Sequence, residues 1–225
     1  MIGLNNRYAV VPGWFPVDKD GGGSSDFISL KNYHQAEIYI MTGAAVGQTA
    51  AVTLDQGVSV SSCATALSFT LYYETGLMLK YDGASTNVAA ASGETATGAA
   101  TGVMTVFEDH GGYIVGNKWD SSQVFVDNEV LTFSGGKTAV VDGTLYNEDI
   151  MIPTVLAAGV DTFNIAATLD VNKIYMIPVN SSMLNDNMDC ISVAIGDPNT
   201  ALMACWYILS EPRYAGLPMR TAIYD

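Results

Sequence analysis

The sequence predicts an all-β protein: an antiparallel sandwich or barrel, with two similar β lobes as a candidate arrangement and an extended N-terminal arm. Three observations predict it. Short runs rich in Ile, Val, Tyr, Phe and Thr recur along the chain, and Gly, Asp and Asn separate them, as strands and turns require. Alternation is clear where it can be read: Leu67, Phe69, Leu71 and Tyr73 fall on one face, and Ala66, Ser68, Thr70 and Tyr72 on the other. No stretch carries the period of a long amphipathic helix.

The elements follow in order. Val10-Val11-Pro12-Gly13-Trp14-Phe15-Pro16 is apolar, aromatic and bounded by prolines, which argue against a helix or a central strand. Asp18-Lys19-Asp20-Gly21-Gly22-Gly23-Ser24-Ser25 reads as a flexible hinge. Residues 1–26 therefore form an arm that either docks elsewhere or lies over the protein's own core. Residues 27–102 form a first β lobe, with strands at 36–42, 50–54 and 66–74 and a hairpin across Thr75-Gly76 into 77–81. The small-residue tract 83–102 reads as an exposed loop or linker. Residues 103–225 form a second lobe, with strands at 103–107, 113–116, 123–127, 130–133, 139–145, 162–168 and 173–179. A short helical turn with a Ser cap is expected within 181–187. Strands 190–195 and 201–210 are expected to pair across Gly196-Asp197-Pro198-Asn199.

The chain also echoes itself. Ile38-Tyr39-Ile40-Met41 is answered by Ile174-Tyr175-Met176-Ile177. Thr65-Ala66-Leu67 and the strand after it are answered by Thr200-Ala201-Leu202 and the strand after that. The offset is nearly constant. Duplication would produce this, and so would recurrence of common β patterns.

Composition bounds the function. Hydrophobic residues make up 49%, enough for a sizeable core, while charged residues are only 14% against roughly 25% in an ordinary soluble domain. The net charge of −14 repels phosphate, so neither direct nucleic-acid binding nor an anionic membrane is an expected partner. Depleted charge is common in proteins that bury surface in an assembly, and it also occurs in ordinary β proteins. The three cysteines, Cys63, Cys190 and Cys205, show no C-x-x-C spacing and sit in apolar stretches, as small buried hydrophobes in a reducing compartment do. The N-terminus lacks the apolar run of a signal peptide, and the uncharged stretches 38–54 and 56–73 are too interrupted for a membrane helix. A soluble protein made in the cytoplasm is the expectation.

Chemistry is sparse. His34 and His110 are far apart, whereas a hydrolytic zinc site needs about three ligands. No Gly-x-Ser-x-Gly nucleophile elbow and no phosphate loop occurs. Asp18-Lys19-Asp20-Gly21 starts like a calcium loop but lacks the closing Glu. The carboxylate pairs Glu108/Asp109 and Glu148/Asp149 have nothing to set them across a substrate. No catalytic, cofactor-binding or metal-binding residue is identified, and no enzyme activity is expected.

The run Asp189-Cys190-Ile191-Ser192-Val193-Ala194-Ile195-Gly196-Asp197, followed by Trp206-Tyr207-Ile208-Leu209-Ser210-Glu211-Pro212-Arg213-Tyr214 and the ending Thr221-Ala222-Ile223-Tyr224-Asp225, resembles the terminal signature of tailed-phage virion structural proteins of the capsid decoration or cement type. Lys31-Asn32-Tyr33-His34, Thr42-Gly43-Ala44 and Ala51-Val52-Thr53-Leu54-Asp55-Gln56 are similar to the same group. The resemblance implies a bacteriophage capsid protein that binds the major capsid protein lattice on the exterior of the virion as a homo-oligomer, a dimer or trimer. The candidate partner-binding residues are Trp14, Phe15 and Pro16 on the arm, with Arg213 and Tyr214 near the C-terminus. Two other classes compete: another virion component such as a tail or head fibre, and a carbohydrate-binding β module, for which the 12 tyrosines supply aromatic surface.

Overall fold

A computed structural model gives the fold and describes residues 8–43, 47–82, 90, 92–118, 124–143, 147–166 and 172–213. In chain order the strands are β1 (Ala9–Asp18), β2 (Gly23–Ser24), β3 (Ile28–Ser29), β4 (Tyr33–Thr42), β5 (Ala50–Gly57), β6 (Thr65–Ala66), β7 (Leu71–Asp82), β8 (Thr95–Gly98), β9 (Val103–Asp109), β10 (Tyr113–Lys118), β11 (Val130–Phe133), β12 (Thr138–Val141), β13 (Asn147–Val155), β14 (Phe163–Ile165), β15 (Ile174–Asn180), β16 (Cys190–Ile195) and β17 (Leu202–Pro212). They form two compact units, Met1–Tyr72 with Thr154–Asp225, and Tyr73–Pro153. This differs from sequential lobes at 27–102 and 103–225. One unit draws on both ends of the chain because the strands of the two ends pair with each other.

That first unit is an antiparallel sandwich. One sheet runs β1-β17-β4-β15 and continues to β7; the other runs β14-β5-β16-β2, with β3 also on β16 and β6 on β5. Alternation in β4 buries Ala36, Ile38, Ile40 and Thr42 and turns Glu37, Tyr39 and Met41 outward. Ile38, Ile40, Tyr175, Ile177, Tyr207 and Leu209 share one core with Val52, Leu54, Ile191, Val193 and Ile195 of the other sheet. Each such aliphatic side chain contributes about 1.5–3 kcal/mol by leaving water.

The N-terminal segment lies on its own chain. β1 is the edge strand beside β17, and its register shifts twice, between Pro12 and Trp14 and between Trp14 and Val17. An edge tolerates prolines because their missing N–H would face solvent. The expected glycine hinge is a pinned turn: Gly21, Gly22 and Gly23 take φ of 82°, 72° and 124°. Lys19 N donates to Ala201 O at 2.9 Å, and Gly21 N to the Asp197 carboxylate at 3.0 Å. The turn carries the chain from one sheet to the other, where β2 pairs with β16.

The expected hairpin of 190–195 with 201–210 does not form. β16 pairs with β5, β2 and β3, whereas β17 pairs with β1 and β4. Asp197 and Asn199 make a turn between sheets instead, with Asn199 at φ 65° donating its N–H to Asp197 Oδ1 at 2.7 Å. The helical turn expected near 181 is a 3-10 turn, Ser181–Met183, capped by Asn180 rather than by a serine.

The second unit is a barrel. Its strands pair in the order β7-β10-β9-β8-β11-β12, and β12 returns to β7 through Val140↔Asp82 and Val141↔Tyr81. Every one of these pairings is antiparallel. Leu77, Leu79, Met104, Val106, Ile114, Leu131, Phe133 and Val141 fill it. A ring this narrow needs small residues. Ala96 of β8 is fully buried, so part of the small-residue tract is a barrel stave, not a loop; residues 83–89 and 91 lie outside the described residues. The expected turn at Thr75-Gly76 is absent because β7 runs straight through it. Gly76 is there for space: a Cβ would overlap Ile152 Cδ1. The strand expected at 123–127 is irregular over its described residues, and β13 was not foreseen.

The echo takes a structural form that its letters misplace. β4 and β15 pair directly, Ile38↔Ile177 and Ile40↔Tyr175. Yet Tyr39 faces outward while Tyr175 is buried, so matching the letters aligns opposite faces. What repeats is the pairing. Assign β1, β3, β4, β5 and the start of β7 to one half, and β13, β14, β15, β16 and β17 to the other. β4 then meets β15 and β5 meets β16. β3 joins β16 as β14 joins β5, β17 joins β4 as β7 joins β15, and β1 joins β17 as β13 joins β7. Among the described strands of the sandwich, the two-residue β2 and β6 stand outside this exchange.

Candidate interaction face

The outward side of the β1-β17-β4-β15 sheet follows from its register. One row across the strands is Val10, Ile208, Glu37 and Pro178; the next is Pro12, Trp206, Tyr39 and Met176; a third is Ala204, Met41 and Ile174. Glu37 is the one charged residue among them. Tyr39 donates its hydroxyl to Glu37 Oε2 at 3.0 Å and stacks on Trp206, ring centroids 5.5 Å apart and 3° from parallel. Burial, then the hydrogen bond and charge of Glu37, push Tyr39 up to about 12. An almost uncharged sheet face is thus presented by a chain that carries −14 overall.

The arm residues divide. Gly13 lies so close to β17 that a Cβ there would sit 2.9 Å from Cys205 Sγ and from the Tyr207 ring. This approach turns Trp14 inward, 9% exposed, into the sandwich core, with Lys19 Nζ 4.2 Å from its ring centroid. Phe15, 74% exposed, and Pro16 point to solvent. Arg213 is exposed and tied to its own chain, its N donating to Asn32 O at 3.0 Å and its Nε to Tyr33 O at 3.3 Å. Tyr214 lies outside the described residues. The sheet face behind these residues was missed. Its signal was the outward set Tyr39, Met41, Trp206 and Ile208, legible only once both faces of each strand had been assigned.

Reactive groups are used structurally. Cys63 and Cys190 are buried; desolvation, then Asp55 and Asp189, pushes the Cys63 thiol up to about 11, and desolvation, then Asp189, pushes the Cys190 thiol up to about 12; burial raises Cys205 further. His110 stacks on Tyr113 and lies 3.4 Å from Glu108; His34 is exposed near the start of β4. Several carboxylates serve loop N–H groups. Asp109 accepts from Ala90 N, Gly111 N and the Tyr81 hydroxyl, each at 2.8 Å, and Glu129 accepts from Val126 N and Ala100 N. Part of the acidity therefore holds turns. An open cleft of about 330 Å³ lies beside Gln35, Glu37, Leu71, Pro178 and Asn180, and no aromatic ring lines it.

No family model matches the chain, and no curated protein matches it. Similar solved structures include the infectious bursal disease virus VP2 subviral particle, at 7% identity and TM-score 0.22 over 97% of this chain and 84% of that one. The Gt strain of the same virus gives 7% identity and TM-score 0.22 over 97% and 85%. Desmodium yellow mottle tymovirus gives 10% identity and TM-score 0.13 over 95% and 86%. Backbone agreement at this level carries no argument about fold or function.

Proposed function

We propose that this chain is a non-catalytic structural protein of a virion head, which decorates and stabilises the shell by binding the lattice of the major capsid protein. The observation that carries the reading is the nearly uncharged outer face of the β1-β17-β4-β15 sheet in a protein with 23 acidic and 9 basic residues. A soluble monomer has no reason to keep charge off one broad face, whereas an interface core excludes it. The sequence resemblance to decoration proteins supports the partner. Exposed Phe15 and Pro16 beside this sheet add an anchor at its edge. The acidic remainder suits a partner with basic surface around the contact.

Such a protein acts by mass action: binding the assembled shell but not its dissociated subunits stabilises the shell. Co-sedimentation with purified heads tests this. The wild-type chain is expected to pellet with the heads and raise their melting temperature. Trp206→Glu, on the outward face, is expected to keep the fold, checked by circular dichroism, and to lose at least about tenfold in affinity, roughly 1.4 kcal/mol. Equal binding by the variant, or no pelleting by the wild type, would overturn the reading.

A further inference from the structure

We infer that β1 is an exchangeable strand, and that in two copies of this chain each β1 can occupy the other's β17 edge to form a strand-swapped pair. The inference is independent of the proposed function. It starts from how β1 is attached. Among the described residues β1 pairs with one strand, β17, along the sheet edge. That ladder is broken by two register shifts, so peeling β1 costs chiefly the burial of Val11 and Trp14, which the exchanged strand regains in the other copy's seat. The connection to β2 contains Gly21, Gly22 and Gly23, which move from their positive φ values to extended backbone without a steric penalty.

The seat on β17 is shaped, not generic. Gly13 and Trp14 fit against Cys205 and the core, and only a segment with a glycine at that point can lie there. The segment with that shape is β1 itself, so the occupant of a vacated seat is β1 of a second copy. The sandwich already performs this exchange once. β1 of one half closes on β17 of the other, while β13 of that other half closes on β7. Strand exchange between copies repeats a contact the chain makes between its own halves. A short connection keeps β1 at an effective concentration on the order of millimolar at its own seat, so the swapped pair gains population when copies are crowded.

Disulfide trapping tests this. Val10 and Ile208 are registered partners, and directly opposed residues lie about 4.5–5.5 Å apart, within reach of a disulfide. A Val10→Cys chain is mixed at about millimolar concentration with an Ile208→Cys chain and oxidised with glutathione disulfide; the wild-type chain, whose cysteines are buried, is the blank. A covalent heterodimer is expected at least tenfold above that of Val10→Cys mixed with Leu202→Cys, an exposed position out of register with Val10. Heterodimer no greater than this control would overturn the inference. A double variant, Val10→Cys with Ile208→Cys in one chain, is expected to link internally; failure to do so would overturn the register on which the exchange depends.

Discussion

Tyr207 is one of several tyrosines in the core of the sandwich. It is fully buried, its hydroxyl is hydrogen-bonded to Ser25 Oγ, and Ser25 Oγ also accepts from Val193 N at 2.9 Å. This small network joins the segment after β2 to both sheets. Tyr207→Phe leaves Ser25 with a lost partner in the core, so it is expected to cost about 1–3 kcal/mol in urea unfolding. The buried thiols give two further expectations. None should react with a thiol reagent in the native protein at pH 8, and all 3 should react in urea. A folded-state pKa raised from 9.0 to about 11 at Cys63 and about 12 at Cys190 means that their contribution is fully present below pH 9 and lost as pH rises through these values. The urea midpoint should therefore fall between pH 9 and 12, and fall less steeply in Cys63→Ala with Cys190→Ala. The sequence showed these cysteines to be buried hydrophobes. It could not show Trp14 turning inward beside exposed Phe15, because that depends on the bulge at Gly13.

Among the elements, alternation guided well in β4 but not at 66–74, where β6 ends at Ala66, β7 starts at Leu71, and Tyr72, expected opposite Phe69, packs on the same core against Phe163. β4 and β11 stand where their patterns put them. Glycine was a poor guide. Thr75-Gly76 reads as a turn and is straight strand, because the cue for a turn and the cue for close packing are the same missing side chain. The two uses are separable by mutation. Gly76→Ala is expected to destabilise the barrel by about 1–3 kcal/mol, partly recovered by Ile152→Val, since the obstructing atom is the far end of a side chain. Gly116→Ala, whose Cβ would meet the backbone carbonyl of Thr105, should cost as much or more with no such rescue. The pairing of 190–195 with 201–210 misled for a related reason: a strong turn signal fixes a reversal of direction, not whether the chain stays in the same sheet. β13 was missed because its pattern, Asn147-Glu148-Asp149-Ile150-Met151-Ile152-Pro153, starts with charge and holds a proline, both of which an edge position tolerates.

For the whole molecule, class was legible and assembly was not. Composition and turn spacing gave an all-β chain, and the structure contains both forms foreseen, a sandwich and a barrel. The echo pointed to two related halves, yet their relation lies in which strand pairs with which. Sequence letters cannot carry that, and a one-residue slip reverses every face. The outer sheet face was hidden for the same reason, being spread over four strands that are distant in sequence. The claim built on that face is that the protein holds a virion shell together. Cryo-electron microscopy of the parent particle tests it most directly. Copies in fixed ratio to the major capsid protein are expected, with Tyr39, Trp206 and Ile208 against it. A few copies confined to a tail or fibre, or a decorating copy with that face open to solvent, would contradict it.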